Sequence, residues 1–274
     1  MARATPRILP GFRLSLGFTL VYLSVLVIVP LGAVLVTASS LSWEQFKAAV
    51  WTDRARAAYA LTFGAAFVAA AASAVIGLLI AWVLVRYEFP GKRVFDSLVD
   101  LPFALPTAVA GLVFSNLYVP NGWLGRFLVP LGVHGAYSRF AIVLVLVFIG
   151  FPFVVRTLQP ILESLDAEVE EAAALLGATR WQTFRRVIFP AVLPGLVTGF
   201  ALAFARGLGE YGSVVFVSGN IPRKTEIAAV LIVNRLEEFS YREATAIATV
   251  LLSASFVMLG VINRLERWSR RWDR

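Results

Sequence analysis

The chain has 274 residues, of which 59% are hydrophobic and only 15% charged, with a formal net charge of +8 and no cysteine. Soluble domains carry roughly 25% charged residues, so a soluble globular domain is excluded and a polytopic all-α membrane protein is indicated; the missing cysteines remove any disulfide framework, thiolate nucleophile or Cys-based metal site. The basic excess is what Lys and Arg flanking membrane spans produce, no aromatic–basic interleaving marks a nucleic-acid partner, and the single His134 reads as a loop histidine.

A spanning helix needs roughly 20 apolar residues to cross a hydrocarbon core about 30 Å thick. Runs of that order without strict alternation indicate helices rather than barrel strands, because backbone groups in lipid must be bonded internally. The first charge-free run is Leu14–Trp43, behind a leader (residues 1–13) carrying Arg3, Arg7 and Arg13. A signal-peptide core is usually about 7–15 residues. Leu14–Ala38 is longer and reads as a retained helix, with cleavage at the small-residue end VTASS as the minor alternative. A loop to residue 56 follows, then Ala57–Val85 as the second span.

The third run, Leu101–Gly125, opens with Pro102 and Pro106. Each proline removes a backbone donor and bends a helix. Two readings stand: a bent helix lining a path, or a packing kink near the inner end. The fourth run, Phe140–Val155, is short, is extended by Thr157–Leu162 and contains Pro152.

Residues 163–190 break the apolar pattern and predict a helix, a turn and a second helix. Val169, Ala172, Ala173 and Leu176 fall on one helical face, and Asp166, Glu168, Glu170 and Glu171 load the N-terminal half with negative charge that suits the helix dipole. Gly177 stands where a left-handed C-terminal cap belongs. Thr179-Arg180-Trp181-Gln182 has the form of a capping box, placing the second helix start at Thr179. Trp181, Phe184 and Ile188 continue it at helical spacing, with Pro190 and Pro194 where the chain enters the fifth run, Val187–Ala205. Such an elbow either lies on the bilayer as interfacial helices or docks a partner protein. An acidic first arm gains nothing from anionic headgroups, which favours the partner.

Residues 206–220, RGLGEYGSVVFVSGN, predict a broken or re-entrant segment. An unpaired charge inside a membrane costs at least about 2.5–3.5 kcal/mol, so Arg206 and Glu210, four apart, are expected to pair. A structural ion pair is favoured over Arg206 as an attractor of an oxyanion. Gly209, Gly212 and Gly219 suit backbone approach to an anion or close helix packing. Ala244–Asn263 is the sixth span, and residues 264–274 form a charged tail.

With the N-terminus inside, inward segments hold 15 Lys and Arg against 10 outside. This bias places both termini and residues 163–190 in the cytoplasm. No G-x-x-x-x-G-K-[ST] occurs, since Gly91-Lys92 lacks the rest of the pattern. The chain is therefore not expected to hydrolyse ATP, nor to be an enzyme. No charge-rich proton relay or internal repeat favours a proton-coupled carrier.

Glu171-Ala172-Ala173, three residues, Gly177, nine residues, then Val187-Ile188-Phe189-Pro190 resembles the EAA-x3-G-x9-I-x-L-P signature of ABC importer membrane subunits, with Val187 and Phe189 in place of Ile and Leu. Over roughly residues 12–268 the chain is similar to the T-subunit family of sulfate/thiosulfate importer permeases, through LPFALPTAVAGL (101–112), GLGEYGSVVFVSGNIPRKTEIA (207–228) and RLEEFSYREATAIATVLL (235–252). Tyr211 stands where that family commonly has Phe, and the middle stretch is also close to molybdate permeases.

The resemblance implies a type I ABC importer permease fold of six transmembrane helices in the bacterial inner membrane. Residues 57–263 would form the five-helix transport domain, with coupling loop 163–190. It implies ATPase contact through Glu171, Ala172, Ala173, Gly177 and Arg180, and a pore or gate near Pro102, Pro106, Arg206, Gly209 and Glu210. It further implies cytoplasmic ABC ATPase subunits that use the ATP, a second permease subunit in a heterodimer, a periplasmic sulfate-binding protein and surrounding membrane lipid, with no cofactor in this chain. A homodimeric molybdate or tungstate permease is the alternative within the class; an ATP-independent carrier or membrane scaffold is the alternative outside it.

Overall fold

Prolines end two short helices of this chain and are absorbed within its long ones. The computed structural model describes residues 12–269, and the predicted leader up to residue 11 and tail from residue 270 lie outside them. In chain order the elements are α1 (Leu14–Ser39), α2 (Trp43–Val50), α3 (Asp53–Arg86), α4 (Lys92–Val99), α5 (Leu101–Ala104), α6 (Thr107–Tyr118), α7 (Gly125–Leu128), α8 (Arg139–Glu163), α9 (Ala167–Leu175), α10 (Arg180–Leu208), α11 (Val214–Val217), α12 (Ala228–Glu237) and α13 (Tyr241–Ser269). Among the described residues none forms a strand. Among the described residues five helices, α1, α3, α8, α10 and α13, are long and apolar enough to cross a membrane.

The predicted third span is corrected. Leu101–Gly125 is not one helix: α5 ends at Leu105, which is extended (φ −84°, ψ 132°), and α6 starts after Pro106. The residue before a proline is driven out of the helical region by its ring. The same rule ends α6 early, because Val119 precedes Pro120 and is extended (φ −62°, ψ 157°). In place of one long third span stands this broken pair, α5 and α6.

Elsewhere the helices absorb their prolines. Pro30 and Pro190 each follow a π turn, Ser24–Ile28 in α1 and Phe184–Ile188 in α10. There Val29 N–H bonds Ser24 O and Phe189 N–H bonds Phe184 O, five residues back. The widened turn relieves the clash of the proline ring with the carbonyl four residues before it. The second helix after Gly177 therefore runs unbroken into the fifth span.

The centre of the bundle is α3, α8 and α10, each packed on the other two. Small residues bring their backbones together: a Cβ on Gly77 would lie 2.7 Å from the Val154 Cβ, and one on Gly199 would lie 2.9 Å from the Val154 Cα. Close approach of this kind is how helices associate where lipid tails offer no hydrophobic driving force. Helices α1 and α13 pair at the edge, and the most apolar window of α1 is unburied.

Candidate functional site

The elbow forms as the local signals require. Gly177 is left-handed (φ +81°). Its N–H bonds Ala174 O at 2.9 Å, and Ala178 N–H bonds Ala173 O at 3.0 Å, closing α9 with a Schellman cap. The capping box is complete: Thr179 Oγ1 accepts from Gln182 N–H, and Gln182 Oε1 accepts from Thr179 N–H at 2.8 Å. The two arms thus hold a defined angle at one end of the bundle.

Their outer surface is uncovered. Leu175 and Leu176 are each 89% exposed and Trp181 67%. Glu171, Ala172 and Arg180 are exposed and Ala173 is half-buried, so four of the five residues singled out here sit on or beside one open surface, with Gly177 at its corner. The predicted apolar face of α9 is largely open, with Val169 and Leu176 exposed and Ala173 half-buried, whereas the second arm is anchored by buried Ile188 and Thr183.

Sequence reasoning used the charges at the ends of apolar runs only as span boundaries and so missed two ties at this end. Arg86, the last residue of α3, meets Glu170 of α9 at 2.5 Å. Arg156 of α8 grips α4: its Nε and Nη2 donate to the two Asp100 oxygens at 2.8 and 2.6 Å, and its Nη1 donates to Asp96 Oδ1 at 2.6 Å. Gln159 Nε2 also donates to Asp96, at 2.9 Å. That hydrogen bond, with the one from Arg156, holds the Asp96 carboxyl below the ordinary carboxylate range against the opposing effect of burial. Pro102 and Pro106 follow directly, so Arg156 anchors the start of the broken helix.

The predicted re-entrant character of residues 206–220 is present at the other end. A Cβ on Gly207 would lie 3.3 Å from the Ala66 Cβ, and Ala66 is about 20 Å along α3 from its start at the helical rise per residue. α10 therefore stops inside the bundle, and the chain from 209 to 227 fills the space beyond it. Arg206 and Glu210 pair at 2.6 Å, as their spacing predicts. Glu210 is 2% exposed, and its other oxygen accepts from the Ser213 N–H and Oγ–H at 2.8 Å each. The carboxylate both neutralises an arginine and holds the turn into α11.

Of the glycines in this segment, Gly212 and Gly219 meet real constraints. A Cβ on Gly212 would lie 2.3 Å from Thr107 Oγ1, and Gly219 is left-handed (φ +72°). Gly209 is neither left-handed nor crowded (φ −90°). Gly111 of α6 lies under Ser213, whose carbonyl oxygen would be 2.4 Å from a Cβ there. Ser115 Oγ donates to Phe216 O at 2.8 Å, so α6 and α11 run side by side. Pro102 is buried in α5, which packs on α8, and Pro106 stands at the break before α6.

A bundle of apolar helices with one broken member, a re-entrant plug and an uncovered elbow is the architecture of a type I ABC importer permease. Solved structures agree. An alginate transporter bound to its pentasaccharide-loaded periplasmic protein matches with a TM-score of 0.77 at 17% identity, covering 93% of each chain. An inward-facing MetNI methionine transporter matches with a TM-score of 0.55 at 19% identity, over 76% of this chain and 93% of that one. At these identities the likeness concerns the fold alone.

Residues 73–272 match the family described as binding-protein-dependent transport system inner membrane component. The chain is 48% identical over 272 residues to the sulfate transport system permease protein CysT of Salmonella typhimurium, covering 99% of this chain and 98% of the relative. It is 51% identical to the protein of the same name from Synechocystis, over 93% and 89% of the two. The chain belongs to this inner-membrane permease family, and within it to the T-subunit group of sulfate permeases; it is a multi-pass transporter subunit.

Proposed function

We propose that the chain is one membrane subunit of an ATP-driven importer of sulfate and thiosulfate, coupled through residues 163–190 to a separate cytoplasmic ATPase. The observation that carries the coupling is the elbow itself: two capped arms at a fixed angle, with Leu175, Leu176 and Trp181 left bare. Apolar side chains so exposed beside acidic Glu171 are suited to a protein groove rather than to an anionic lipid surface. The names of its relatives support sulfate as the cargo.

In this reading the elbow faces the cytoplasm, as the Lys and Arg distribution favours, and both termini lie on that side. ATP is bound and hydrolysed by the ATPase. A periplasmic binding protein delivers the anion to the opposite end, and a second, different permease subunit completes the path. The break at Leu105–Pro106 lines that path, while Arg206 and Glu210 act as a structural pair behind it. Residues Glu171, Ala172, Ala173, Gly177 and Arg180 form the contact by which ATPase closure biases the permease between two access states. Such bias requires contacts that differ between those states.

Co-purification from membranes tests the reading. An ATPase and a distinct second permease should accompany the chain. Vesicles carrying the assembly and the binding protein should take up sulfate only with ATP. Uptake that persists without ATP or without the ATPase would sink the reading, and a chain that purifies only as a homodimer would overturn the heterodimer.

A further inference from the structure

Both arms of the elbow are fastened to the same turn of α3. Arg86 and Trp82 are four residues apart and so share one face of that helix. Arg86 meets Glu170 of the first arm at 2.5 Å. The contacting Nη2 and Oε1 are shut off from solvent and lie off hydrogen-bonding alignment, so the contact is one of charge. Trp82 meets Phe184 of the second arm edge to face, at 6.0 Å between ring centroids. Phe184 stacks in turn on Trp181 at 5.6 Å, and the Arg86 guanidinium lies over the Trp82 ring at 5.6 Å.

Gly177, the corner of the elbow, has open space around it and no side chain to stiffen it. Among the described side chains of the first arm none is buried. The caps set the angle of the elbow at rest, and a tether on the first arm is what would hold that angle against force applied at Glu171. Among the described residues, Arg86–Glu170 is the one ion pair joining the acidic arm to the bundle.

We propose that Arg86 is a positioning residue for coupling: with Glu170, and with Trp82 behind it, it locks the elbow to the end of α3, so that elbow and α3 move as one body. The proposal rests on reading the elbow as the ATPase contact. It adds that the thrust leaves the elbow through α3 as well as through the covalent continuation into α10. Because α3 packs on both α8 and α10, movement entering there reaches the centre of the bundle.

The test uses the complete transporter in vesicles, with sulfate carried per ATP hydrolysed as the readout. Arg86→Glu and Glu170→Arg should each lower that ratio about fivefold or more, the lower end of ordinary coupling, while the ATPase still co-purifies in normal amount. The double exchange, Arg86→Glu with Glu170→Arg, should recover most of the ratio; Arg86→Gln and Glu170→Gln should lower it without reversing a charge. A ratio unchanged in the single variants, or a double exchange no better than either single one, overturns the proposal. If the wild-type chain itself fails to retain the ATPase, the reading of the elbow has failed, and that result is distinct because it appears before any substitution is made.

Discussion

Arg54, at the start of α3, and Glu226, in the segment that follows α11, form a two-point pair: Nε donates to Oε2 at 2.8 Å and Nη2 to Oε1 at 2.7 Å. Glu226 is 1% exposed and also accepts from Asn234 Nδ2 at 2.9 Å. This pair, with Ala228 N–H donating to Thr62 Oγ1 at 2.8 Å, moors the far end of the re-entrant segment to α3. Removing one partner of a buried pair costs about 3–5 kcal/mol because the other charge is stranded. Arg54 is partly exposed, so Arg54→Met should fall at the low end. The midpoint of thermal unfolding in detergent should drop in Arg54→Met and partly recover in Arg54→Met/Glu226→Gln. Equal midpoints for the single and double variants would show that the carboxylate is not stranded.

Packing of the re-entrant segment on α6 leaves no room for a methyl group at Gly111. The nearest obstacle is backbone, the Ser213 carbonyl, which cannot turn aside as a side-chain end can. Overpacking of this kind typically costs about 1–3 kcal/mol. Gly111→Ala should displace residues 211–217 and reduce uptake, whereas Gly209→Ala, which meets nothing within 4 Å, should transport normally. Uptake assays on the two variants, matched for membrane content, check the contrast.

How much of this was legible in the sequence depends on the range of the forces involved. The elbow was legible because its determinants are local: Thr179 and Gln182 bond each other across three residues, and Gly177 caps the helix immediately before it. Arg206–Glu210 was legible for the same reason. The stops at Leu105 and Val119 were also local, each residue standing before a proline, but a span read as a charge-free run passes over Pro120 and takes Pro106 for a bend rather than a stop. Arg54–Glu226, 172 residues apart, was not legible, since no local pattern names the partner of a charge at the end of an apolar run. Arg86, Asp96 and Arg156 were hidden in the same way.

Acid should loosen the grip of Arg156 on α4 only at low pH. A carboxyl held below its ordinary value contributes stability that is fully present above the unfolded value, about 3.9 for Asp, and is lost as pH falls through the lower folded value. Asp96 is such a group. The stability of the detergent-solubilised chain should therefore owe no change between pH 5 and 8 to Asp96. Asp96→Asn should be less stable than wild type in that range, and the difference should close below about pH 4. A difference that widened on acidification would contradict the assigned direction.

Charge at the elbow's surface should decide ATPase retention if Glu171 contacts the ATPase. Glu171 is exposed and its neighbour Glu170 is engaged by Arg86, so the two glutamates should respond differently. Glu171→Lys should weaken ATPase co-purification with little effect on the amount of chain in the membrane. Glu170→Gln should leave co-purification intact. Identical pull-down for Glu171→Lys and wild type would reduce Glu171 to a solvated surface charge.

Gly177 separates the backbone requirement of the elbow from its contacts. A Cβ there would meet nothing within 4 Å, so any penalty comes from the left-handed φ of +81° and not from crowding. Left-handed backbone costs a residue with a side chain on the order of 1–2 kcal/mol, with Asn among the least affected. Gly177→Asn should therefore transport nearly as well as wild type, and Gly177→Val should lose transport while still inserting, because relief of its strain re-aims α9 relative to α10. Sulfate uptake per inserted chain for the three proteins checks the order. If Val and Asn were equally impaired, the loss would have to come from the surface the ATPase touches rather than from the angle of the elbow.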